Sequence, residues 1–124
     1  MIEEQVLNRV EHHLLSMQVD DTEPLFILYS YTKRDIEGTT LNQILHALIK
    51  LTHKGFSVCI IKKGEKWQQC KKLTLTDLKR RFKGQSEEEK TEYPMYVNEY
   101  YFKITEKGKL EESKEIYNTY YPQV

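Results

Sequence analysis

The sequence predicts an α+β domain built from three helices, a hairpin-type sheet and a closing helix. Apolar residues recur at three- and four-residue steps through the first half of the chain, as on the buried face of a helix. An apolar, partly β-branched run follows Gly55, and an aromatic segment near residue 100 alternates as a strand does. With 124 residues, the chain has the length of one domain, 1–124, and can bury a core without metals or disulfides.

Residues 2–18 form the first predicted helix. Their apolar side chains follow the 3-4-3 spacing of a helix seam, at Leu7, Val10, Leu14 and Met17. The polar triplet 20–22 ends this helix and offers capping side chains to the element that follows.

The second helix is predicted over 23–34. Pro24 suits a first helical turn, but the apolar run 25–31 fits a buried strand as well as a buried helix segment. We predict a helix because capping residues precede the run. Gly38 then lies in a tight connection to the next helix.

The stretch 40–61 combines a third helix, a stop signal and a strand. Thr40 is placed to cap the helix, and Gln43 can complete a capping box. Gly55 supplies the left-handed residue that ends many helices, and 56–61 continues as a strand. The apolar stripe consists of Leu41, Ile44, Leu45, Leu48 and Leu51. The opposite face carries no acid and consists of Asn42, Gln43, His46, Lys50 and His53.

A hairpin is predicted after this strand, because Gly64 followed by Glu65 fits a two-residue turn. The hairpin returns over 66–72 and pairs residues whose numbers sum to 129. Cys59 therefore lies opposite Cys70. Two interpretations stay open: a thiol-based redox pair, or two unreactive free cysteines, which we favour in a reducing compartment.

The last third contains a short basic helix at 76–83, a strand at 97–104 and a final helix that Thr105 caps. The final helix is predicted to present Leu110, Ser113, Tyr117 and Tyr120 on one stripe. Between the basic helix and the strand, residues 85–92 contain no apolar side chain and predict a flexible acidic loop.

Charge is distributed unevenly along the chain, although the formal net charge is zero. Residues 1–49 hold three basic and eight acidic residues, a net of −5, and 84–124 hold five and nine, a net of −4. Residues 50–83 hold eleven basic and two acidic residues, a net of +9. This pattern predicts one positive surface with a defined use. The alternative is that the three segments interleave in space and neutralise one another.

Two segments together resemble a known family. LIKLTHKGFSV at 48–58 resembles the end of the recognition helix in winged helix-turn-helix regulators, where a leucine repeat runs into a glycine and a strand. YYFKITEKGKLEE at 100–112 resembles the Thr-x-x-Gly strand-to-helix entry of PadR- and MarR-like proteins. The resemblance implies a winged helix-turn-helix fold, here with an inserted short helix and a C-terminal helix.

The resemblance also implies a small DNA-binding transcriptional regulator whose partner is double-stranded DNA. In the recognition helix, Asn42, Gln43 and His46 become candidates for base edges and Lys50 for phosphate. The wing and the basic helix would hold the backbone through Lys62, Lys63, Lys66, Arg80 and Arg81. A homodimer through the N- or C-terminal helix is expected.

Other function classes have less support in the sequence. There is no glycine-rich phosphate loop, nucleophile elbow or paired-histidine metal motif, so we predict no enzyme, cofactor or metal. The chain has no run long enough to span a membrane and no signal peptide, which predicts a cytoplasmic protein. The alternative to DNA binding is a winged-helix protein-protein interaction module that uses the tyrosine-rich last third.

Overall fold

The computed structural model describes residues 5–63, 65–70, 72–83 and 100–121, of which 62, 63 and 80–83 are described by their backbone alone. Their architecture is α+β, as predicted, with helices packed against an antiparallel sheet. The elements in chain order are α1 (Arg9–Ser16), β1 (Glu23–Pro24), α2 (Leu25–Asp35), α3 (Leu41–His53), β2 (Ser57–Lys63), β3 (Lys66–Gln69), α4 (Leu75–Lys83), β4 (Tyr100–Ile104), α5 (Glu106–Glu112) and a 3₁₀ helix (Glu115–Tyr120).

Helix α1 is shorter than predicted because Asn8 begins it. The Asn8 side chain accepts a hydrogen bond from the Glu11 amide, and the Glu11 carboxylate accepts one from the Asn8 amide, which completes a capping box. Leu7 precedes the helix but is fully buried, like Leu14. His12 and Glu11 are buried as well, which the apolar pattern did not indicate.

A two-residue strand, β1, lies where the sequence predicted the first turn of the second helix. Glu23 pairs with Phe102 and Pro24 with Tyr101 of β4. Pro24 also forms the N-cap of α2 without any side-chain hydrogen bond, so the prediction that 20–22 caps this helix was wrong. The helical interpretation of 25–31 is confirmed, since α2 covers that whole run.

The third helix, α3, begins and ends as predicted. Thr40 and Gln43 form the capping box, and Gly55 has a φ of 79° in the left-handed region just past the helix end. The buried face of α3 packs against α1, α2, α4 and β2. Its fully buried residues are Ile44, Leu45, Leu48 and Leu51.

The sheet has the strand order β1-β4-β2-β3, so β4 lies in its interior although it is the last of the described strands in sequence order. The predicted hairpin register is confirmed, because Lys62 pairs with Trp67 and the Cys70 amide donates to the Cys59 carbonyl at 2.8 Å. The hairpin is not the centre of the sheet, however. Strand β2 also pairs along its length with β4, from Ser57 opposite Ile104.

The basic helix α4 begins at Leu75, one residue earlier than predicted, and the Thr74 side chain caps it. The Thr74 hydroxyl accepts a hydrogen bond from the Asp77 amide at 3.1 Å and donates one to the Asp77 carboxylate at 2.8 Å. Leu78 is fully buried and joins α4 to the common core.

The single closing helix predicted after Thr105 is two separate pieces. Helix α5 ends at Glu112, and a 3₁₀ helix follows after Lys114. Leu110 is 71% exposed while Tyr117 is 1% exposed, so the predicted stripe through both residues was wrong. The residues of α5 that are buried are Gly108 and Glu111.

Candidate nucleic-acid interface

Helix α3 presents a polar face close to its N-terminus. Asn42, Gln43 and His46 are all exposed there, and His53 is exposed at the other end. The Gln43 side-chain oxygen is used in the cap, where it accepts a hydrogen bond from the Thr40 amide at 2.8 Å. Asn42 and His46 are thus the predicted base-edge residues whose side chains are not part of that cap.

Lys50 differs from the other candidate residues on α3, because its side chain is bound by groups of another part of the protein. Its ammonium lies 2.9 Å from Oε1 of the buried Glu11 and donates to the Val6 carbonyl at 3.1 Å. A lysine held by an internal carboxylate and a carbonyl is not available as a free phosphate ligand. The observed contacts therefore give Lys50 a structural role that joins α3 to α1.

The predicted wing residues lie on the β2-β3 hairpin. Lys66 is exposed at the start of β3, while Lys62 and Lys63 occupy the end of β2 and their side chains lie outside the described residues. Arg80 and Arg81 belong to α4, again with side chains outside the described part. The structure describes two further basic residues of this segment, Lys72 as exposed and Lys79 as half-buried.

The end of α3 is fastened to the start of α5. The Thr105 hydroxyl donates to the Gly55 carbonyl at 2.6 Å and accepts a hydrogen bond from the Gly108 amide at 3.0 Å. Lys107 donates to the Lys54 carbonyl at 2.8 Å, which satisfies one of the free carbonyls at the end of α3. The Thr-x-x-Gly sequence therefore holds the start of α5 against the end of α3.

No family model, curated protein or solved structure matches this chain. None of the helices within the described ranges is long and apolar enough to cross a membrane. Across those same ranges, no group of three or more histidine, cysteine or acidic side chains is arranged to hold a metal ion.

Two tyrosines of the last third, Tyr117 and Tyr120, contact the beginning of the described chain. The Tyr117 hydroxyl donates to Glu111 at 2.5 Å and accepts from the Leu7 amide at 3.2 Å, and its ring stacks on His12 with centroids 4.4 Å apart. The Tyr120 hydroxyl donates to the Leu7 carbonyl at 2.8 Å. These contacts attach the 3₁₀ helix to α1 and its preceding segment, while Tyr121 is 37% exposed.

The two cysteines are free thiols on the same side of the sheet. Cys59 is 1% exposed, and burial, with a smaller effect of neighbouring Cys70, raises the pKa of its thiol far above the ordinary value. A buried thiol that stays protonated is a poor nucleophile.

A hollow of about 570 Å³ on the outer face of the sheet was missed by the sequence analysis. It is lined by Asp21, Thr22, Ile60, Trp67, Tyr101 and Lys103. Two signals could have indicated it. The alternation of β4 puts Tyr101 and Lys103 opposite the buried Phe102, and the hairpin register puts Trp67 on the face of Lys62. What could not be foreseen is β1, whose pairing brings Asp21 and Thr22 to this face.

Proposed function

We propose that this protein binds double-stranded DNA through α3, as a winged helix-turn-helix transcriptional regulator. The observation that carries the proposal is the exposed N-terminal part of α3, where Asn42 and His46 face solvent. The whole helix contains no acidic residue, so nothing on it repels phosphate. Asparagine at such a position can form two hydrogen bonds with an adenine edge in the major groove.

The element order gives the proposal further support. Three helices precede β2, a hairpin of β2 and β3 follows, and β4 leads through Thr105 into α5. This is the order that the resemblance to winged helix-turn-helix regulators implies. The hairpin would act as the wing, and α4 is the inserted helix.

Backbone contacts are assigned to the basic segment. Lys66 is exposed on the hairpin, and Lys62, Lys63, Arg80 and Arg81 belong to the same net positive stretch of the sequence. Lys50 is left out of this set because of its contacts with Glu11 and Val6. A homodimer through the N- or C-terminal helix belongs to the proposal as well, and sedimentation velocity would measure it.

The test is a fluorescence anisotropy titration of a labelled random duplex at low and moderate salt. Affinity should fall as salt rises, with a slope in log-log form of about −0.9 for each phosphate contact. Replacing Lys62, Lys63 and Lys66 together by glutamate should cause the largest loss, whereas Lys109→Glu on α5 should change affinity little. Absence of binding at low salt would refute the proposal.

The base-reading part of the proposal needs a separate measurement. Asn42→Ala and His46→Ala should leave binding to random duplex nearly unchanged, because a random duplex presents no fixed base sequence for these side chains to read. Each should weaken binding to a selected operator by about tenfold, the usual discrimination of one good base contact. If both variants bind a selected operator as tightly as the parent chain, α3 does not read bases.

A further inference from the structure

The hollow on the outer sheet face has an apolar wall made by three strands. Ile60 of β2 pairs directly with Tyr101 of β4, and Trp67 of β3 lies against Tyr101 with ring centroids 5.1 Å apart at 83°. Trp67 is 50% exposed, which is unusual for so large an apolar side chain. At about 570 Å³, the hollow falls within the range of small-molecule sites.

Two opposite charges line this hollow and do not form an ion pair with each other. Asp21 and Lys103 line it, and both also line an adjoining hollow of about 270 Å³, so they stand at the boundary between the two. Within the described part of the chain, neither side chain forms an ion pair. The Asp21 carboxylate is fixed locally, because it accepts a hydrogen bond from the Thr22 amide at 2.9 Å.

Asp21 has other acidic residues near it in the chain, while Lys103 and Lys109 are the basic residues that line the adjoining hollow. Asp20 lines the adjoining hollow beside it, and Glu23 follows in β1. Burial and the charge of Asp21 both raise the pKa of the Glu23 carboxyl, as expected where carboxylates crowd. The side of the hollow at Asp21 would attract an ammonium group, and the side at Lys103 would attract a carboxylate.

We propose that the hollow binds a free α-amino acid with an apolar side chain. The ammonium group of the ligand would contact Asp21 and its carboxylate would contact Lys103, so the ligand would join two charges that form no ion pair within the described residues. The side chain would lie against Ile60, Trp67 and Tyr101, where it loses water. This inference goes beyond the proposed DNA binding and does not rest on it, because the ligand site contains no α3 residue.

Trp67 makes the test direct, since it is the only tryptophan of the chain. L-leucine and L-methionine, titrated to about 10 mM, should shift its fluorescence emission in a saturable way, a range that covers the affinity of so small a ligand. L-leucinamide lacks the carboxylate and N-acetyl-L-leucine lacks the ammonium group. Each should bind at least about tenfold more weakly, the effect of losing one charge-assisted contact.

Variants assign the two charges. Asp21→Asn and Lys103→Gln should each weaken leucine binding by about tenfold while leaving the circular dichroism spectrum unchanged. Asp20→Asn and Lys109→Gln are matched controls, because these residues line only the smaller hollow and should change affinity less than about twofold.

Three outcomes would overturn the inference. One is no emission shift with any of the common apolar amino acids. Another is equal binding of leucine, its amide and its N-acetyl derivative, which would reduce the hollow to a patch without charge recognition. The third is equal loss of affinity in the variants and in their matched controls. All of these measurements contain no DNA, so they stand apart from the anisotropy test of DNA binding.

Discussion

The ammonium of Lys50 lies 2.9 Å from Oε1 of Glu11 and ties α3 to α1 across the core. The same carboxylate oxygen accepts the Asn8 amide at 2.7 Å, so one buried group serves both as a helix cap and as a counter-charge. Glu11 is 5% exposed. Removing Lys50 would leave this buried carboxylate without its counter-charge.

We therefore expect Lys50→Ala to lower the free energy of unfolding by about 1–3 kcal/mol, a cost near that of an unsatisfied buried group. Urea denaturation followed by circular dichroism at neutral pH measures it. The matched control is Lys54→Ala at an exposed position one turn later, with an expected change below about 0.5 kcal/mol.

A double-mutant cycle with Glu11→Gln would isolate the pair. Lys50→Ala should cost less in the Glu11→Gln background, because the neutral amide needs no counter-charge. If instead Lys50→Ala leaves stability unchanged and lowers DNA affinity, the lysine is a phosphate ligand and the structural role given to it here is wrong.

Gly108 is required by the close approach of α5 to the chain segment after α3. A Cβ at this position would collide with the Phe56 carbonyl oxygen and lie 2.8 Å from Cγ1 of Ile104. The backbone there cannot retreat easily, because the Thr105 amide donates to that same carbonyl at 3.0 Å. We expect Gly108→Ala to destabilise the fold by about 2–3 kcal/mol, as overpacking does.

Thermal unfolding would measure the effect of Gly108→Ala. Leu110→Ala, two residues away at a site that is 71% exposed, serves as the control and should shift the midpoint by only a small amount. Equal midpoints for the parent chain and Gly108→Ala would mean that α5 does not cross Phe56 as closely as described.

His13 should make the stability depend on pH. Burial lowers the pKa of its imidazole below the ordinary 6.5, although the charge of Asp35, 3.4 Å from Nε2, acts in the opposite direction. Below pH 6.5 the unfolded chain then binds more protons at this residue than the folded chain does. This contribution to stability is thus complete above that pH and is lost as pH falls through the folded-state pKa.

Unfolding midpoints between about pH 7.5 and 5.5 would test the role of His13. As the solution is acidified, the parent chain should lose more stability than His13→Gln does. His53→Gln, at an exposed site, is the control and should follow the parent. A His13→Gln variant that loses stability in parallel with the parent would contradict the assignment.

The cysteines should react at different rates. Cys59 is buried with a raised pKa, whereas Cys70 is only partly buried. Iodoacetamide at neutral pH should therefore add a single carbamidomethyl group to the folded protein, at Cys70, and two in urea. Intact mass spectrometry with peptide mapping gives the count and the position, and Cys70→Ser should abolish the fast adduct.

Mild oxidation tests the redox interpretation of the same pair. Cys59 and Cys70 are register partners in an antiparallel ladder, where Cα atoms of hydrogen-bonded pairs lie about 5.5 Å apart, within the range that a disulfide spans. A loss of two daltons would establish the bond. Retention of both thiols under conditions that oxidise a control dithiol would leave them as unreactive packing residues, which is our expectation.

Local signals predicted several parts of the structure correctly. The capping box of Thr40 and Gln43, the stop at Gly55 and the hairpin register each depend on residues within a few positions of one another. The alternation of Phe102 and Lys103 also gave the buried and exposed faces of β4 without knowledge of its neighbours. These features are decided by backbone preferences and side-chain periodicity, which the sequence displays directly.

Long-range partners could not be predicted in the same way. The sequence around Glu23 does not indicate that Glu23 and Pro24 pair with β4. The sequence around Lys50 does not indicate that Lys50 forms an ion pair with Glu11. The prediction of a single closing helix was wrong for a related reason. Tyr117 is buried because its ring stacks on His12 and its hydroxyl accepts a hydrogen bond from the Leu7 amide. These long-range contacts, and not the helical periodicity through Leu110, decide where its side chain lies. The charged lining of the sheet hollow depends on the same unseen pairing.

The interior position of β4 has a consequence for how the protein is made. Pro24 pairs with Tyr101, and Ser57 pairs with Ile104. The earlier strands β1 and β2 therefore each have an unpaired edge until most of this chain has been synthesised. Pairings between such distant residues slow folding and expose strand edges to other molecules in the meantime. The four-stranded sheet therefore forms only after β4 has been synthesised.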